Sequence, residues 1–218
     1  MKLKVKAALI DLDGTIVDSR EAYREALRKT CKAFGLKKFD EAVVLEIPRR
    51  LEQNMPINAL IPEVDVEKFL DKYLTAYYES TGSKTRLFPN VSKTLEEVSK
   101  KLKLALVTMR RVPVEKAEKE LEKFGIAKYF HCVVTALDTP FPKPSPKALL
   151  RCAEKLRVGI GECIVVGDSV TDVKAGRNAG AKTVAVLSGI FSRQELEREK
   201  PDLIIKDVNG LPEVLVNL

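Results

Sequence analysis

Residues that bind zinc or form disulfides are scarce in this sequence. It has no tryptophan, a single histidine at position 131, and four cysteines among 218 residues. None of the cysteines belongs to a Cys-x-x-Cys pair; they are Cys31, Cys132, Cys152 and Cys163. These absences argue against a zinc site and against a disulfide framework. They fit a reducing compartment, so we expect a cytoplasmic protein.

Long apolar runs are missing as well. Although 45% of the residues are hydrophobic, no segment approaches the ~20 consecutive apolar residues that a membrane-spanning helix needs. The apolar run near the N-terminus is too short for a secretory signal, and it ends in acidic residues. We therefore expect neither a membrane segment nor a cleaved leader.

The charge excess is basic but evenly spread. Lys and Arg outnumber Asp and Glu by 38 to 31, which gives a formal net charge of +7. Basic residues alternate with glutamates, as in residues 115–120, and do not form a basic block. This pattern favours solvated helix faces over a nucleic-acid surface, so no nucleic-acid partner is expected.

Strands and helices alternate from residue 86 onward. Short apolar segments, such as residues 103–108 and 164–166, are separated by segments with helical periodicity. The alternation predicts a parallel, doubly wound α/β sheet. Residues 19–85 show helical spacing and no convincing strand, which predicts a helical insertion. A chain of this length can be one domain with an insertion or two small domains.

An apolar run near the N-terminus ends in two carboxylates. Residues 7–10 are Ala-Ala-Leu-Ile, and Asp11-Leu12-Asp13-Gly14 follows. The run predicts a buried strand that delivers both acids at its carboxyl end, where open α/β sheets carry their chemistry. Two such charges ~4 Å apart repel by roughly 4 kcal/mol, so a cation between them or a proton on one is expected. An Asx-rich turn is the alternative.

Three later segments carry further polar residues at strand ends or between prolines. Thr108 follows the apolar residues 104–107, Lys143 lies between two prolines, and Gly167-Asp168-Ser169-Val170-Thr171-Asp172 follows the apolar residues 164–166. Together with residues 11–18, these segments resemble, in order, the motifs of the haloacid dehalogenase superfamily of phosphohydrolases. The resemblance spans nearly the whole chain, and phosphoglycolate-phosphatase-like enzymes are the nearest relatives that it indicates. It implies a Rossmann-like core of residues 1–18 and 86–218, with a helical cap of residues 19–85 inserted after the first motif.

The resemblance implies a role for each motif residue. Asp11 would be the nucleophile that carries the phosphoryl group as an aspartyl phosphate, and Asp13 would be the general acid and base. The Thr108 hydroxyl, the main-chain N–H of Met109 and the charge of Lys143 would bind the transferring phosphoryl oxygens.

The same resemblance implies Mg²⁺ as the cofactor. Its expected protein ligands are the Asp11 carboxylate, the main-chain carbonyl of Asp13 and the Asp168 carboxylate, since Mg²⁺ prefers oxygen ligands. Asp172 would support the site from outside the coordination sphere. Capping of the following helix is the alternative reading for Asp168 or Asp172.

Arginines at three positions are candidates for substrate selection. Arg110 follows the second motif, where many relatives have Asn or Ser close to the threonine. Arg49 and Arg50 lie in the predicted cap and would reach the anionic tail of a substrate. Solvated arginines at helix turns are the alternative for all three.

These expectations combine into a magnesium-dependent phosphatase that acts on a small phosphorylated metabolite, such as phosphoglycolate, as a monomer or homodimer. A phosphomutase of the same fold, resembling β-phosphoglucomutase, would instead pass the phosphoryl group to a second hydroxyl. A noncatalytic phosphate- or protein-binding module is the remaining alternative. The presence of Asp11, Asp13, Lys143 and Asp168 argues against it.

Overall fold

The structure is a computed structural model, and it describes residues 5–36, 39–62 and 64–217. The described chain divides into two compact units, one from the residues up to Val17 and from Leu87 onward, and one from the residues between Asp18 and Arg86. Its strands are β1 (Ala7–Ile10), β2 (Val17–Asp18), β3 (Arg86–Leu87), β4 (Lys103–Val107), β5 (Phe130–Val134), β6 (Cys163–Gly167), β7 (Lys182–Val186) and β8 (Leu203–Ile205). Its α-helices are α1 (Arg20–Ala33), α2 (Glu41–Glu52), α3 (Val66–Lys84), α4 (Val91–Ser99), α5 (Val114–Lys123), α6 (Lys147–Leu156), α7 (Val170–Ala179), α8 (Arg193–Arg198) and α9 (Leu211–Asn217).

The larger unit contains a six-stranded parallel sheet in the order β5-β4-β1-β6-β7-β8. The central strands are short and apolar: β1 reads Ala-Ala-Leu-Ile and β6 reads Cys-Ile-Val-Val-Gly, and every residue of both is buried. Strands that are apolar throughout belong in a sheet that is covered on both faces. Helix α6 packs against β5, β4 and β1, and α7 packs against β6 and β7. The predicted α/β fold with a parallel sheet is confirmed.

The strand order places β1 at the point where the direction of winding changes. From β1 the sheet extends through β4 and β5 on one side and through β6, β7 and β8 on the other. In open α/β sheets the crevice at such a switch point, outside the carboxyl ends of the strands, is where ligands bind. The loops after β1, β4 and β6 therefore meet at the edge of the sheet that is suited to chemistry.

The smaller unit is built from α1, α2 and α3. Asp40 and Asp65 cap α2 and α3, because their carboxylates accept bonds from the Ala42 and Lys68 amides. The three helices enclose a core of their own that includes Leu27, Ile47, Ile57, Phe69 and Tyr73. The predicted helical segment is thus helical, and its role as a cap over the active site stays a prediction.

The sequence pattern missed two short strands. Strands β2 and β3 have two residues each and pair in a separate two-stranded sheet. Two residues are too few to produce a recognisable alternation of apolar and polar side chains.

Among the described residues, no helix has the length and apolar character that crossing a membrane requires.

Candidate active site

The residues predicted from the motifs meet at the carboxyl edge of the sheet. Asp11 directly follows β1, Thr108 follows β4 and Asp168 follows β6, while Lys143 lies in the loop between β5 and α6. All four are buried, with exposed fractions of 7% for Asp11, 3% for Thr108, 4% for Asp168 and 2% for Lys143. Buried charged side chains are rare unless they are paired, so their partners define the site.

Lys143 links two of the acids. Its Nζ donates to Asp11 Oδ1 at 2.6 Å and to Asp172 Oδ1 at 2.5 Å. Burial on its own would lower the pKa of Lys143, but the two carboxylates outweigh it and hold the pKa above its ordinary value. The side chain is therefore a fixed positive charge beside Asp11 at neutral pH.

Asp172 also caps helix α7. Its Oδ2 accepts bonds from the Ser169 hydroxyl at 2.7 Å and the Ser169 amide at 3.2 Å, while the Ser169 hydroxyl accepts from the Asp172 amide. The capping alternative and the supporting role therefore describe the same side chain, since one carboxylate oxygen serves the helix and the other serves Lys143. The Asp172 carboxylate contacts Lys143, and its supporting role in activity stays a prediction.

The Asp168 carboxylate is packed closely against Thr15, Gly14 and Gly189. Its Oδ1 accepts a bond from the Thr15 hydroxyl at 3.1 Å. A side chain on Gly14 would place its Cβ only 2.5 Å from Asp168 Oδ2, and one on Gly189 would place it 1.6 Å away. Both positions are therefore restricted to glycine by the close approach of this carboxylate.

The acids provide a donor set that suits a divalent cation. Oxygen atoms of Asp11, Asp168 and Asp172 lie within 4.8 Å of one another, and all three residues are buried. The three carboxylates carry two more charges than the one that Lys143 supplies. Carboxylate oxygens with an excess of two negative charges fit Mg²⁺, which takes oxygen ligands.

Asp13 lies in the tight turn that follows Asp11. Both of its carboxylate oxygens accept bonds from Arg110, one from Nε and one from Nη2, each at 2.7 Å. The sequence interpretation expected a cation between Asp11 and Asp13. In the structure Lys143 contacts Asp11 and Arg110 contacts Asp13, and a metal cation between the two acids stays a prediction.

The loop after β4 carries the remaining predicted phosphate-binding residues. Thr108 Oγ1 accepts a bond from the Arg110 amide at 3.2 Å, and the Thr108 amide donates to the Val134 carbonyl at 3.0 Å. In the sequence Met109 lies between Thr108 and Arg110, and it is half-buried. The loop is thus held by the neighbouring strand β5, and the phosphate-binding roles of Thr108 and Met109 stay predictions.

Arg49 and Arg50 belong to the smaller, helical unit. They lie in the last turn of α2, where Arg50 pairs with Glu46 at 2.8 Å and donates to the Pro56 carbonyl at 3.1 Å. Their predicted contact with a substrate tail is not tested by these bonds and stays a prediction.

Three residues at the site escaped the sequence interpretation. Ser188 and Gly189 follow β7; the Ser188 hydroxyl donates to the Gly14 carbonyl at 2.7 Å, and Gly189 faces Asp168. Their position after a strand next to β6 was an available signal, because loops at the carboxyl edge of the sheet converge. Glu120 binds Arg110 from the middle of α5, and a glutamate on a charged helix gives no such signal.

Proteins with similar sequences cover most of this chain. The sequence model of the family described as haloacid dehalogenase-like hydrolase matches residues 8–186. A phosphoglycolate phosphatase of Vibrio cholerae is 32% identical over 224 residues, covering 97% of each chain. A Clostridium perfringens protein with the provisional name pyrophosphatase PpaX is 30% identical over 203 residues, covering 92% of each chain.

The fold agrees with solved structures as well. A haloacid dehalogenase-like family hydrolase from Streptococcus pneumoniae superposes with a TM-score of 0.81 at 21% identity, covering 98% of each chain. At 21% identity this likeness supports the fold alone. The family assignment depends on the match of the sequence model. The chain therefore belongs to the haloacid dehalogenase-like hydrolases, the family that its four motifs predict.

Proposed function

We propose that this enzyme is a phosphatase that hydrolyses a small organic phosphate monoester through an aspartyl phosphate on Asp11, with Mg²⁺ as its cofactor. The observation that carries the proposal is the buried group of Asp11, Asp168 and Asp172 with Lys143 bonded to two of its members. A hydrolase site of this kind binds a dianion only if positive charge offsets its own carboxylates. Lys143 supplies part of that charge, and a bound divalent cation would supply the rest.

The proposed reaction has two displacements at phosphorus. In the first, Asp11 Oδ forms a bond to phosphorus while the bond to the leaving oxygen breaks, and Asp13 gives that oxygen a proton. In the second, water attacks phosphorus, Asp13 takes the proton from the water, and the bond to Asp11 breaks to release phosphate. Splitting one difficult step into two is the gain from a covalent intermediate, and positioned proton transfer adds ~10²–10⁴ in rate.

The rest of the site would bind and orient the phosphoryl group. The fixed ammonium of Lys143 lies within bonding distance of Asp11, so it would also reach oxygens of a group transferred to that residue. Thr108 and the main chain of Met109 would contribute hydrogen bonds from the loop after β4. Asp11, Asp168 and the Asp13 carbonyl would hold Mg²⁺, which when bound neutralises charge on the phosphoryl oxygens.

The relatives suggest where to look for the substrate. Names of related proteins include phosphoglycolate phosphatase and pyrophosphatase, so phosphoglycolate and pyrophosphate belong in a panel with sugar and glycerol phosphates. We expect phosphate release with Mg²⁺ from at least one monoester, with phosphoglycolate as the leading candidate. Release from pyrophosphate alone would contradict the monoester assignment, and no release from any compound would favour a noncatalytic binding module.

A phosphomutase is the close rival, because it would use the same aspartyl phosphate. Water and a second hydroxyl differ only as acceptors, so the products distinguish the two activities. A phosphatase should yield phosphate in equal amount to the dephosphorylated product, and a hexose bisphosphate should not activate it. Isomerised sugar phosphate without free phosphate would identify a mutase.

Substitution of the two motif acids tests the assigned roles. Asp11→Asn should abolish turnover because the amide cannot form the intermediate, and Asp13→Asn should slow it by roughly 10²–10⁴ because proton transfer is lost. Steady-state phosphate release by the purified variants measures both effects. A near-normal rate in either variant would refute its assignment.

A further inference from the structure

Three charged side chains in contact, Asp13, Arg110 and Glu120, run from the site into helix α5. Arg110 donates from Nε and Nη2 to the two oxygens of Asp13, at 2.7 Å each, and from Nη1 to Glu120 Oε2 at 2.5 Å. The Arg110 side chain is 4% exposed and that of Glu120 is 7% exposed. Arg110 is thus directed at two carboxylates and is removed from solvent, which differs from the solvated arginine that the sequence allowed.

The backbone around Arg110 is held as firmly as its side chain. Its amide donates to Thr108 Oγ1 at 3.2 Å, and its carbonyl accepts from the Ala136 amide at 3.1 Å. The first bond ties it to the end of β4 and the second to the segment after β5. The backbone of Arg110 is therefore fixed by two hydrogen bonds. Its guanidinium is oriented by the bond from Nη1 to Glu120.

Two parallel bonds define the plane of a carboxylate, and one bond does not. A guanidinium presents its donors in a rigid fork that matches both carboxylate oxygens, whereas an ammonium acts as a point charge. The geometry of Asp13 and Arg110 is of the forked kind. Proton transfer depends steeply on orientation, and a displacement of ~1 Å can cost ~10²-fold in rate.

From this arrangement we infer that Arg110 and Glu120 are positioning residues for proton transfer. Arg110 holds the plane of the Asp13 carboxylate relative to the reacting oxygen, and Glu120 holds Arg110. The inference rests on the proposed function, because it assigns Asp13 the proton transfer. It differs from substrate selection by Arg110, in which the guanidinium would contact the substrate itself.

A double-mutant cycle separates positioning from the other roles. Arg110→Lys keeps the charge and loses the fork, and Glu120→Gln keeps the shape and loses the charge that orients Arg110. Each is made with Asp13 present and in an Asp13→Asn background, and kcat and KM are measured with p-nitrophenyl phosphate and with the best alkyl monoester. Melting temperatures establish that each variant is folded, and Arg111→Lys, at an exposed neighbouring arginine, is the matched control.

If Arg110 acts through Asp13, the two substitutions will not be additive. We expect Arg110→Lys to lower kcat by about 10- to 100-fold when Asp13 is present, with KM changed less than about twofold. In the Asp13→Asn background the same change should cost less than about threefold, because there is no proton carrier left to orient. Glu120→Gln should show the same pattern with a smaller loss, and Arg111→Lys should show none.

Several outcomes would overturn the inference. Equal losses in both backgrounds would mark a structural ion pair, and a raised KM with unchanged kcat would mark a substrate contact. If Arg110→Lys does not fold, additive losses for Glu120→Gln refute the inference by themselves. A wild-type enzyme that is active, with additive variants, refutes only the positioning role, whereas a wild-type enzyme inactive on every phosphate ester refutes the proposed function and this inference with it.

Discussion

Three glycines let the acids of the site approach one another. A Cβ on Gly14 or Gly189 would meet Asp168, and a Cβ on Gly167 would lie 2.2 Å from Asp172 Cγ. Heavy atoms that are not bonded cannot come so close, so any side chain at these positions must displace a carboxylate. At the scale of single residues, the site therefore depends on glycine at these three positions as well as on its charged residues.

Gly189 offers the sharpest test of this dependence. Gly189→Ala would bring a methyl group to 1.6 Å from Asp168 Oδ2, so the carboxylate must move away from its place in the acid group. We expect the Mg²⁺ concentration for half-maximal activity to rise about 10- to 100-fold, as when a group that orients a metal ligand is lost. Titration of activity with Mg²⁺ measures the shift. Gly161→Ala, where nothing lies within 4 Å, is the control, and equal Mg²⁺ dependence of the two variants would contradict the geometry.

At the scale of elements, helix α7 shows how an ordinary helix start becomes part of a site. Ser169 and Asp172 form a capping box, and the Asp172 oxygen that is free of the cap accepts the bond from Lys143. A capping box is worth about 1 kcal/mol to a helix, so local stability already orients the side chain. The start of α7 thus provides one of the two carboxylates that hold Lys143, and Asp11 provides the other.

Asp202, directly before β8, has several hydrogen-bond partners in β7. Asp202 accepts bonds from the Lys182 ammonium at 2.6 Å and from the Thr183 amide at 2.8 Å. Burial on its own would raise the pKa of Asp202, but the bonds from Lys182 and Thr183 outweigh it and hold the pKa below its usual value. Its carboxylate therefore stabilises the folded protein in its ionised form.

This gives a prediction for stability against pH. A folded-state pKa below the unfolded value means that the stabilisation is present at neutral pH and is lost as pH falls through the folded-state pKa. Asp202→Ala should lower the free energy of unfolding by about 1 kcal/mol at pH 7, and by less at pH 3. Urea unfolding at both pH values measures the difference, with Glu118→Ala on the exposed face of α5 as the control. A gap that widens at pH 3 would show that the carboxylate is not the stabilising form.

For the whole molecule, the balance of charge at the site decides what it binds. A phosphate dianion beside Asp11 and Asp168 brings about four negative charges together, at roughly 4 kcal/mol for each close pair. Lys143 is already shared between Asp11 and Asp172 and cannot offset them alone. Binding of a phosphate analogue should therefore be linked to binding of Mg²⁺.

Thermal unfolding tests that linkage. With Mg²⁺, beryllium fluoride should engage Asp11 and stabilise the protein by about 2.7 kcal/mol at ~100 times its dissociation constant. Without Mg²⁺ it should have almost no effect, and Asp168→Ala should reproduce the metal-free result with Mg²⁺ present. Arg49→Ala, in the helical unit, should leave the stabilisation by beryllium fluoride intact. It should weaken only the binding of substrates with an anionic tail. Melting shifts of equal size with and without Mg²⁺ would contradict the proposed site.

Much of the fold and the family could be predicted from local patterns. Apolar runs such as residues 7–10 and 164–166 became β1 and β6, because short runs that are apolar throughout are typical of parallel strands covered on both faces. The phosphate-binding role of Lys143 was predicted because the segment around it resembles a family motif. Strands β2 and β3 were missed because two residues carry too weak a pattern.

The sequence by itself determined the alternation of strands and helices and the order of the four motifs, since both depend on short stretches of neighbouring residues. Only the tertiary structure decided which charge neutralises which. Lys143 lies 132 positions from Asp11, and Arg110 lies 97 positions from Asp13, yet each pair is in direct contact. Such pairing depends on strand order, which brings the ends of β1, β4 and β6 to one edge of the sheet. Glu120 and Gly189 could be identified as site residues only from the structure, because the fold places them beside Arg110 and Asp168.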